Sequence, residues 1–228
     1  IGYNNGGKVE RSSAIGSVQG LKDVGGLIGE NLGLVLNSYA RGSAGGTGAT
    51  NVGGLIGTNS SGGDVSYVYS MGAVSGASVL GGLIGLNNGV VSNTTSFWDR
   101  ETSGRTTSAG GTSKFTIQMT QRATYTNWDF DNIWGIREGI DYPYLWWRYE
   151  VANLEGLVRS EAEDIIYASG YIPDVSYDCS HEVAEGLVMD QSPMAGERLE
   201  PGGTVYIVIS TGPCPEGEGV VEGIPEGT

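Results

Sequence analysis

Apolar residues recur along the first part of the chain at a fixed long spacing. The stretch Val24-Gly25-Gly26-Leu27-Ile28-Gly29 returns as Val52-Gly53-Gly54-Leu55-Ile56-Gly57 and as Leu80-Gly81-Gly82-Leu83-Ile84-Gly85, and the chain opens on Ile1-Gly2. The isoleucines of these stretches lie 27, 28 and 28 residues apart. A constant period of this length marks a repeat architecture. Each Ile-Gly pair is followed in register by an asparagine, Asn4, Asn31, Asn59 and Asn87, and identical amides in register stack into hydrogen-bonded ladders.

Within a repeat the pattern predicts two short strands joined by glycine turns. The first is the Gly-Leu-Ile-Gly stretch. The second begins near Val9, Val35, Val65 and Val91, with alternation such as Val35, Asn37, Tyr39 placing one face inward. Ser60-Ser61-Gly62-Gly63 reads as a longer loop that leaves the period intact. One repeat cannot bury its own Leu and Ile. Stacked repeats align Leu27, Ile28, Leu55, Ile56, Leu83 and Ile84 into a common core, so the expected architecture is mainly β, a glycine-rich β-solenoid of about four coils. Glycine is expected at the corners for positive φ and close backbone approach.

After residue 96 the period stops and aromatics gather. All five tryptophans, Trp98, Trp128, Trp134, Trp146 and Trp147, lie in 97–150. They are candidates for a cap over the open end of the stack or for a glycan-stacking surface, and the edge problem of an open sheet favours the cap. From residue 151 the pattern turns to α+β. Ser160 and Glu163 have capping-box spacing ahead of a helix over 161–169, Gly170 stands at its C-terminal turn, and strands are expected at 171–177, 187–191 and 204–210. Residues 213–228 are rich in Gly, Pro and Glu, with Val220, Val221 and Ile224 as apolar anchors. Alone, such a tail is expected to be disordered.

Composition sharpens this picture. Of 40 glycines, 27 precede residue 114, so the excess belongs to the repeats. The net charge of −14 is concentrated in 151–228, which carry two basic and fifteen acidic residues. That balance repels phosphate backbones and argues against a nucleic-acid partner. No run approaches the ~20 apolar residues of a membrane span. The chain begins in mid-repeat without a leader and reads as a processed or truncated product. Cys179 and Cys214, with the single His181, are too few for a zinc site and favour a disulfide, hence an oxidising compartment.

Two family resemblances follow from these residues. The Val-Gly-Gly-Leu-Ile-Gly-x-Asn spacing followed by Asn37-Ser38-Tyr39-Ala40-x-Gly42 resembles the GLUG repeat of bacterial surface proteins over residues 1–96. Trp128-Asp129-Phe130, Trp134 and Tyr142-Pro143-Tyr144-Leu145-Trp146 resemble the closing segment of such arrays. The resemblance implies a secreted protein of the kind that includes adhesins, some beside immunoglobulin-cleaving peptidases; a His-Glu-x-x-His peptidase is excluded here by the lone histidine. Asn153-Leu154-Glu155-Gly156-Leu157, Val188-Met189-Asp190-Gln191-Ser192-Pro193 and Pro201-Gly202-Gly203-Thr204 resemble a PASTA domain over 151–212. That resemblance implies an extracellular module of the type found on bacterial kinases and penicillin-binding proteins, some of which contact peptidoglycan; Ala152 stands where a proline is usual.

No catalytic constellation emerges. Asp129 and Asp131 fit an Asx turn, the Gly-Gly-x-x-Gly runs lack the Lys-Ser/Thr of a phosphate loop, and no cofactor is indicated. The sequons at Asn59 and Asn93 arise readily in Asn/Ser/Thr-rich repeats. The expected function is a non-enzymatic, extracellular structural or adhesive surface protein. An open first coil at Ile1 and a sticky tail at Val220, Val221 and Ile224 could join copies head to tail into a filament. The alternative is a glycan- or peptidoglycan-binding module of a larger surface protein. An ice- or mineral-binding rod would need a Thr ladder, and no Thr recurs at the period.

Overall fold

A computed structural model describes residues 1–215 of the chain. The protein is mainly β, with several small sheets in two compact units, Ile1–Leu145 and a second that begins at Trp146. In the first unit the strands are β1 (Tyr3–Asn4), β2 (Lys8–Glu10), β3 (Ser13–Ala14) and β4 (Val18–Gln19), then β5 (Lys22–Gly25), β6 (Ile28–Asn31), β7 (Leu34–Ala40) and β8 (Ala44–Gly45). They continue as β9 (Thr50–Gly53), β10 (Ile56–Asn59), β11 (Asp64–Ser70), β12 (Ser78–Gly81), β13 (Ile84–Asn87), β14 (Val90–Val91), β15 (Ser96–Asp99) and β16 (Thr112–Lys114). The short helix α1 (Thr116–Met119) and the hairpin strands β17 (Trp134–Gly135) and β18 (Tyr144–Leu145) close the unit.

Successive repeats pair in parallel, residue upon equivalent residue. Ile28, Ile56 and Ile84 stand in register in the sheet β1-β6-β10-β13, as do Val9, Val35, Val65 and Val91 in the sheet that runs from β2 through β7 and β11 to β14 and β15. Leu27, Leu55, Leu83 and the three isoleucines share one buried cluster with Val35, Val65 and Val68, completed by the indole of Trp98. Each of these aliphatic side chains contributes ~2 kcal/mol by leaving water. The alignment follows from the period: only equal spacing keeps every apolar side chain over its counterpart.

Two sequence expectations need correction. The repeat contains three long strands rather than two, because β5, β9 and β12 form a further parallel sheet. The Gly-Leu-Ile-Gly stretch is therefore not one strand. It straddles a corner, with β5 ending at Gly25 and β6 starting at Ile28. Positive φ occurs at the turn glycines Gly6, Gly48 and Gly62, as expected, but not at the glycines of the Gly-Leu-Ile-Gly corner; along the strands it falls on Asp23, Asn51 and Val79 in one column and on Arg11, Asn37 and Tyr67 in another. Glycine is required at the corners for close approach. A Cβ on Gly53 would stand 1.9 Å from the Ile56 carbonyl oxygen and 2.7 Å from the Gly85 nitrogen, and one on Gly82 would enter the Trp98 ring.

In the second unit α2 (Arg159–Ala168) packs with the sheet β19 (Ile172–Asp178), β21 (Thr204–Ser210) and β20 (Val188–Ser192), β21 central, parallel to β19 and antiparallel to β20. Ala162, Ile166, Val188, Val205, Ile207 and Ile209 form its core. The helix begins at Arg159 with Val158 as N-cap, and Ser160 makes no capping bond. Glu163 is instead taken by the Arg159 guanidinium at 2.9 Å, one turn back on the same face. Gly170, φ 80°, follows the C-cap as the sequence predicts. No helix among the described residues is long and apolar enough to cross a membrane.

Candidate functional site

The asparagines end the strands of one sheet and face inward. Asn4 donates from Nδ2 to Asn31 Oδ1 at 2.7 Å, Asn31 to Asn59 Oδ1 at 2.8 Å, and Asn59 to Asn87 Oδ1 at 2.8 Å. Asn31 and Asn59 are fully buried, and Asn31 also holds its own turn through the Gly33 carbonyl at 2.8 Å and the Gly33 N–H at 3.2 Å. Each amide thus closes a corner and joins two repeats with the same atoms, at ~1 kcal/mol net per bond. This burial removes Asn59 as a glycosylation acceptor in the folded chain; Asn93 is exposed. On a second face, Asp23 accepts from Asn51 Nδ2 at 2.8 Å and Thr58 Oγ1 at 2.5 Å. Its partial burial raises the carboxyl's pKa, but these donors outweigh it and hold the group below its ordinary value.

The aromatic segment packs on a side of the repeats. Tyr39, Tyr69 and Phe97 come from successive repeats and meet Tyr125, Trp128, Trp134 and Tyr142 in one buried cluster. Tyr69 stacks between Tyr39, centroids 5.0 Å apart, and Tyr142, 6.0 Å apart. Trp128 donates to the Thr95 carbonyl at 3.1 Å and Trp134 to Asn37 Oδ1 at 3.3 Å. This differs from a lid over an open end: the last long strand, β15, is continued by β16, and Trp98 fills the core beneath Gly82. With Trp98, Trp128 and Trp134 buried, the indoles of the first unit offer no stacking platform. Trp146 and Trp147 belong to the second unit, where Trp147 is exposed and Trp146 lies under Arg198.

Sequence reasoning missed two residues that fasten this segment. Arg41 donates to Tyr69 Oη at 2.9 Å and to the carbonyls of Tyr142 and Pro143 at 3.0 and 3.2 Å, and pairs with Asp141 at 3.4 Å. Asp99, fully buried, accepts from Thr116 Oγ1 at 2.7 Å and Tyr142 Oη at 2.6 Å. Burial, and then the Asp99 carboxylate, pushes the Tyr142 hydroxyl well above its ordinary pKa. Arg41, Met71 and Asp99 occupy one column of the repeat, just after β7 and β11 and at the last position of β15. A charge where the period supplies a neutral residue was the available signal.

In the second unit Cys179 and Cys214 form a disulfide spanning 35 residues. Cys179 follows β19 and Cys214 follows β21; because those strands are parallel neighbours, their ends emerge together. On the chain-entropy model the closure contributes about 4 kcal/mol. Gln191, another residue not singled out by sequence, is buried; it accepts from the Leu154 N–H at 2.7 Å and donates to the carbonyls of Ala152 and Pro193 at 3.0 Å each. Burial of Val205, Ile207 and Ile209 turns Thr204, Tyr206 and Val208 to the open face of the sheet. There Tyr206, 52% exposed, stands between Asp174 of β19 and Ser192 of β20, and Val208 between Ser176 and Asp190. A flat ring flanked by carboxylates and hydroxyls can cover an apolar ligand surface while accepting hydrogen bonds at its rim. His181 is exposed in the loop before β20, and Asp129 holds an Asx turn by accepting from the Asp131 N–H at 3.1 Å, with the Asn132 N–H also donating at 2.8 Å.

Residues 149–211 match the model of the PASTA domain family, and this part of the chain is a PASTA domain. Among curated proteins, a probable serine/threonine-protein kinase PknB of Corynebacterium glutamicum is 39% identical over 62 residues, 27% of this chain and 10% of that protein. A protein of Evansella cellulosilytica, named as a Gly-rich membrane protein, is 39% identical over 147 residues, 62% of this chain and 14% of its own length. The chain thus spans only a small part of the curated relatives it matches. No solved structure matches it significantly.

Proposed function

We propose that this chain is an extracellular, non-enzymatic part of a bacterial surface protein, in which a short GLUG-type β-solenoid serves as a stiff spacer for a PASTA domain that engages peptidoglycan-type ligands. The observation that carries the reading is the pairing, in one chain, of register-locked repeats with a disulfide-bonded PASTA domain. Parallel stacking with buried amide ladders suits a load-bearing spacer, because every interior repeat is held by a neighbour on each side. The disulfide suits an oxidising, extracellular setting. The name of one relative, a Gly-rich membrane protein, agrees with a surface location.

The open face around Tyr206 is the surface on which a muropeptide would lie, its ring on the sugar or stem and Asp174 and Asp190 on cationic groups of the peptide. Co-sedimentation of the full chain with purified peptidoglycan tests this. Retention that falls about tenfold in Tyr206→Ala, with an unchanged melting curve, is expected; failure of the chain to sediment contradicts it.

Head-to-tail assembly is a second reading, favoured by the outer edge of β1 and β2, which pairs with no further strand among the described residues while Ile1 and Tyr3 stand exposed. A strand from another repeat or another copy would continue those sheets. The anchors assigned to the opposite joint, Val220, Val221 and Ile224, lie outside the described residues. Electron microscopy with light scattering decides: fibres of regular axial repeat support assembly, and a uniform 23.8 kDa particle rejects it.

A further inference from the structure

The first unit contains a groove at the edge of the aromatic cluster, with no residue of the PASTA sheet in its lining. It has a volume of about 550 Å³, in the range of ligand sites. Buried Phe97 borders it, and Thr94, Lys114, Gln118, Thr126 and Asn127 line it. In a chain of net charge −14, its lining carries one charged side chain, and that charge is positive.

Thr112 and Thr124 on its wall spend their hydroxyls on the carbonyls of Asn93 and Gln118, at 2.7 and 2.6 Å, whereas Lys114 and Gln118 keep donors free. Lys114 Nζ sits 5.6 Å from the Phe97 ring centroid, and among the described residues it meets no carboxylate. Gln118 uses Oε1 to accept from the Phe115 N–H at 3.0 Å, which leaves its NH₂ available. Asn127 holds a left-handed backbone, φ 67°, at a point where a residue other than glycine is strained. Neutral amides and hydroxyls around a single cation match the hydroxyl-rich edge of a sugar ring that also carries one anionic group. The absence of an apolar pocket in this lining disfavours a peptide side chain, and the overall acidity disfavours a polyphosphate.

We propose that this groove binds an oligosaccharide bearing a carboxylate, with Lys114 pairing with the carboxylate and Gln118 and Asn127 bonding to ring hydroxyls. The proposal is independent of peptidoglycan binding by the second unit, since no groove residue lies there. The test is calorimetry of the full chain with glucuronosyl-xylotriose, a tetrasaccharide uronate with one carboxylate, alongside the uncharged xylotetraose. The expected result is binding of the uronate, weakened about tenfold by Lys114→Gln and again by Asn127→Gly, with affinity falling as salt rises. Asn127→Gly relieves the left-handed backbone, so it removes the amide without threatening the fold, and Tyr206→Ala leaves this binding unchanged. Absence of uronate binding, equal binding of the uncharged tetramer, or affinities unmoved by both substitutions in folded protein would overturn the proposal.

Discussion

The two units achieve order in opposite ways. In the first, one set of contacts is made several times: the same amide bond joins Asn4 to Asn31, Asn31 to Asn59 and Asn59 to Asn87. In the second each contact occurs once, and a helix, three strands and the Cys179–Cys214 bridge must be specified separately. A repeated contact is robust at its middle and weak at its edge, because an interior repeat has two partners and a terminal one has one. A small aperiodic domain has few spare contacts and gains much from a covalent link.

Substitutions can break this contrast from either side. The largest effect is expected from Gly53→Ala, whose Cβ would meet backbone atoms of two repeats that cannot withdraw. A loss above ~4 kcal/mol is expected, unfolding the repeats while the PASTA domain keeps its amide spectrum; two-dimensional NMR reads both units at once. Cys179→Ser does the converse. It should cost the second unit about 4 kcal/mol in denaturant unfolding and leave the fluorescence transition of the buried indoles Trp128 and Trp134 in place.

Asn59→Ala removes the middle of the ladder and strands buried groups on both sides, for a cost of about 3 kcal/mol, whereas Asn4→Ala at the edge should cost about 1 kcal/mol. Equal losses in urea titrations would show that the ladder has no middle. The smallest effect concerns Asp23. Its folded pKa is depressed, so its contribution is present above the unfolded value near ~3.9 and is lost as pH falls through the folded value. Asp23→Asn is expected to lower stability by about 1 kcal/mol at pH 7, with the difference from the parent chain vanishing in acid.

The same contrast explains what the sequence made legible. Leu27, Leu55 and Leu83, the amide ladder and the parallel stacking could be read because a period repeats its own evidence. The third strand was missed because Asp23, Asn51 and Val79 turn left-handed within it and break the alternation around Val24, Val52 and Leu80. Aromatic content is visible in composition, but the side on which the aromatics dock depends on Arg41 and Asp99, which make contacts across large sequence distances. In the PASTA domain the strands were legible from their β-branched runs. The helix start was not: a capping-box spacing says nothing of Arg159 reaching Glu163 first. Gln191 stands in a stretch that resembles the PASTA motif, but its burial and its three hydrogen bonds are visible only in the fold.

The division of labour between a spacer and a ligand-reading domain is tested most directly by hydrogen exchange of the full chain, with and without soluble muropeptides, resolved by mass spectrometry. The account predicts slowed exchange in β19, β20 and β21, around Tyr206, and unchanged exchange through the repeats. Protection confined to residues 1–145, or no protection anywhere, would contradict it.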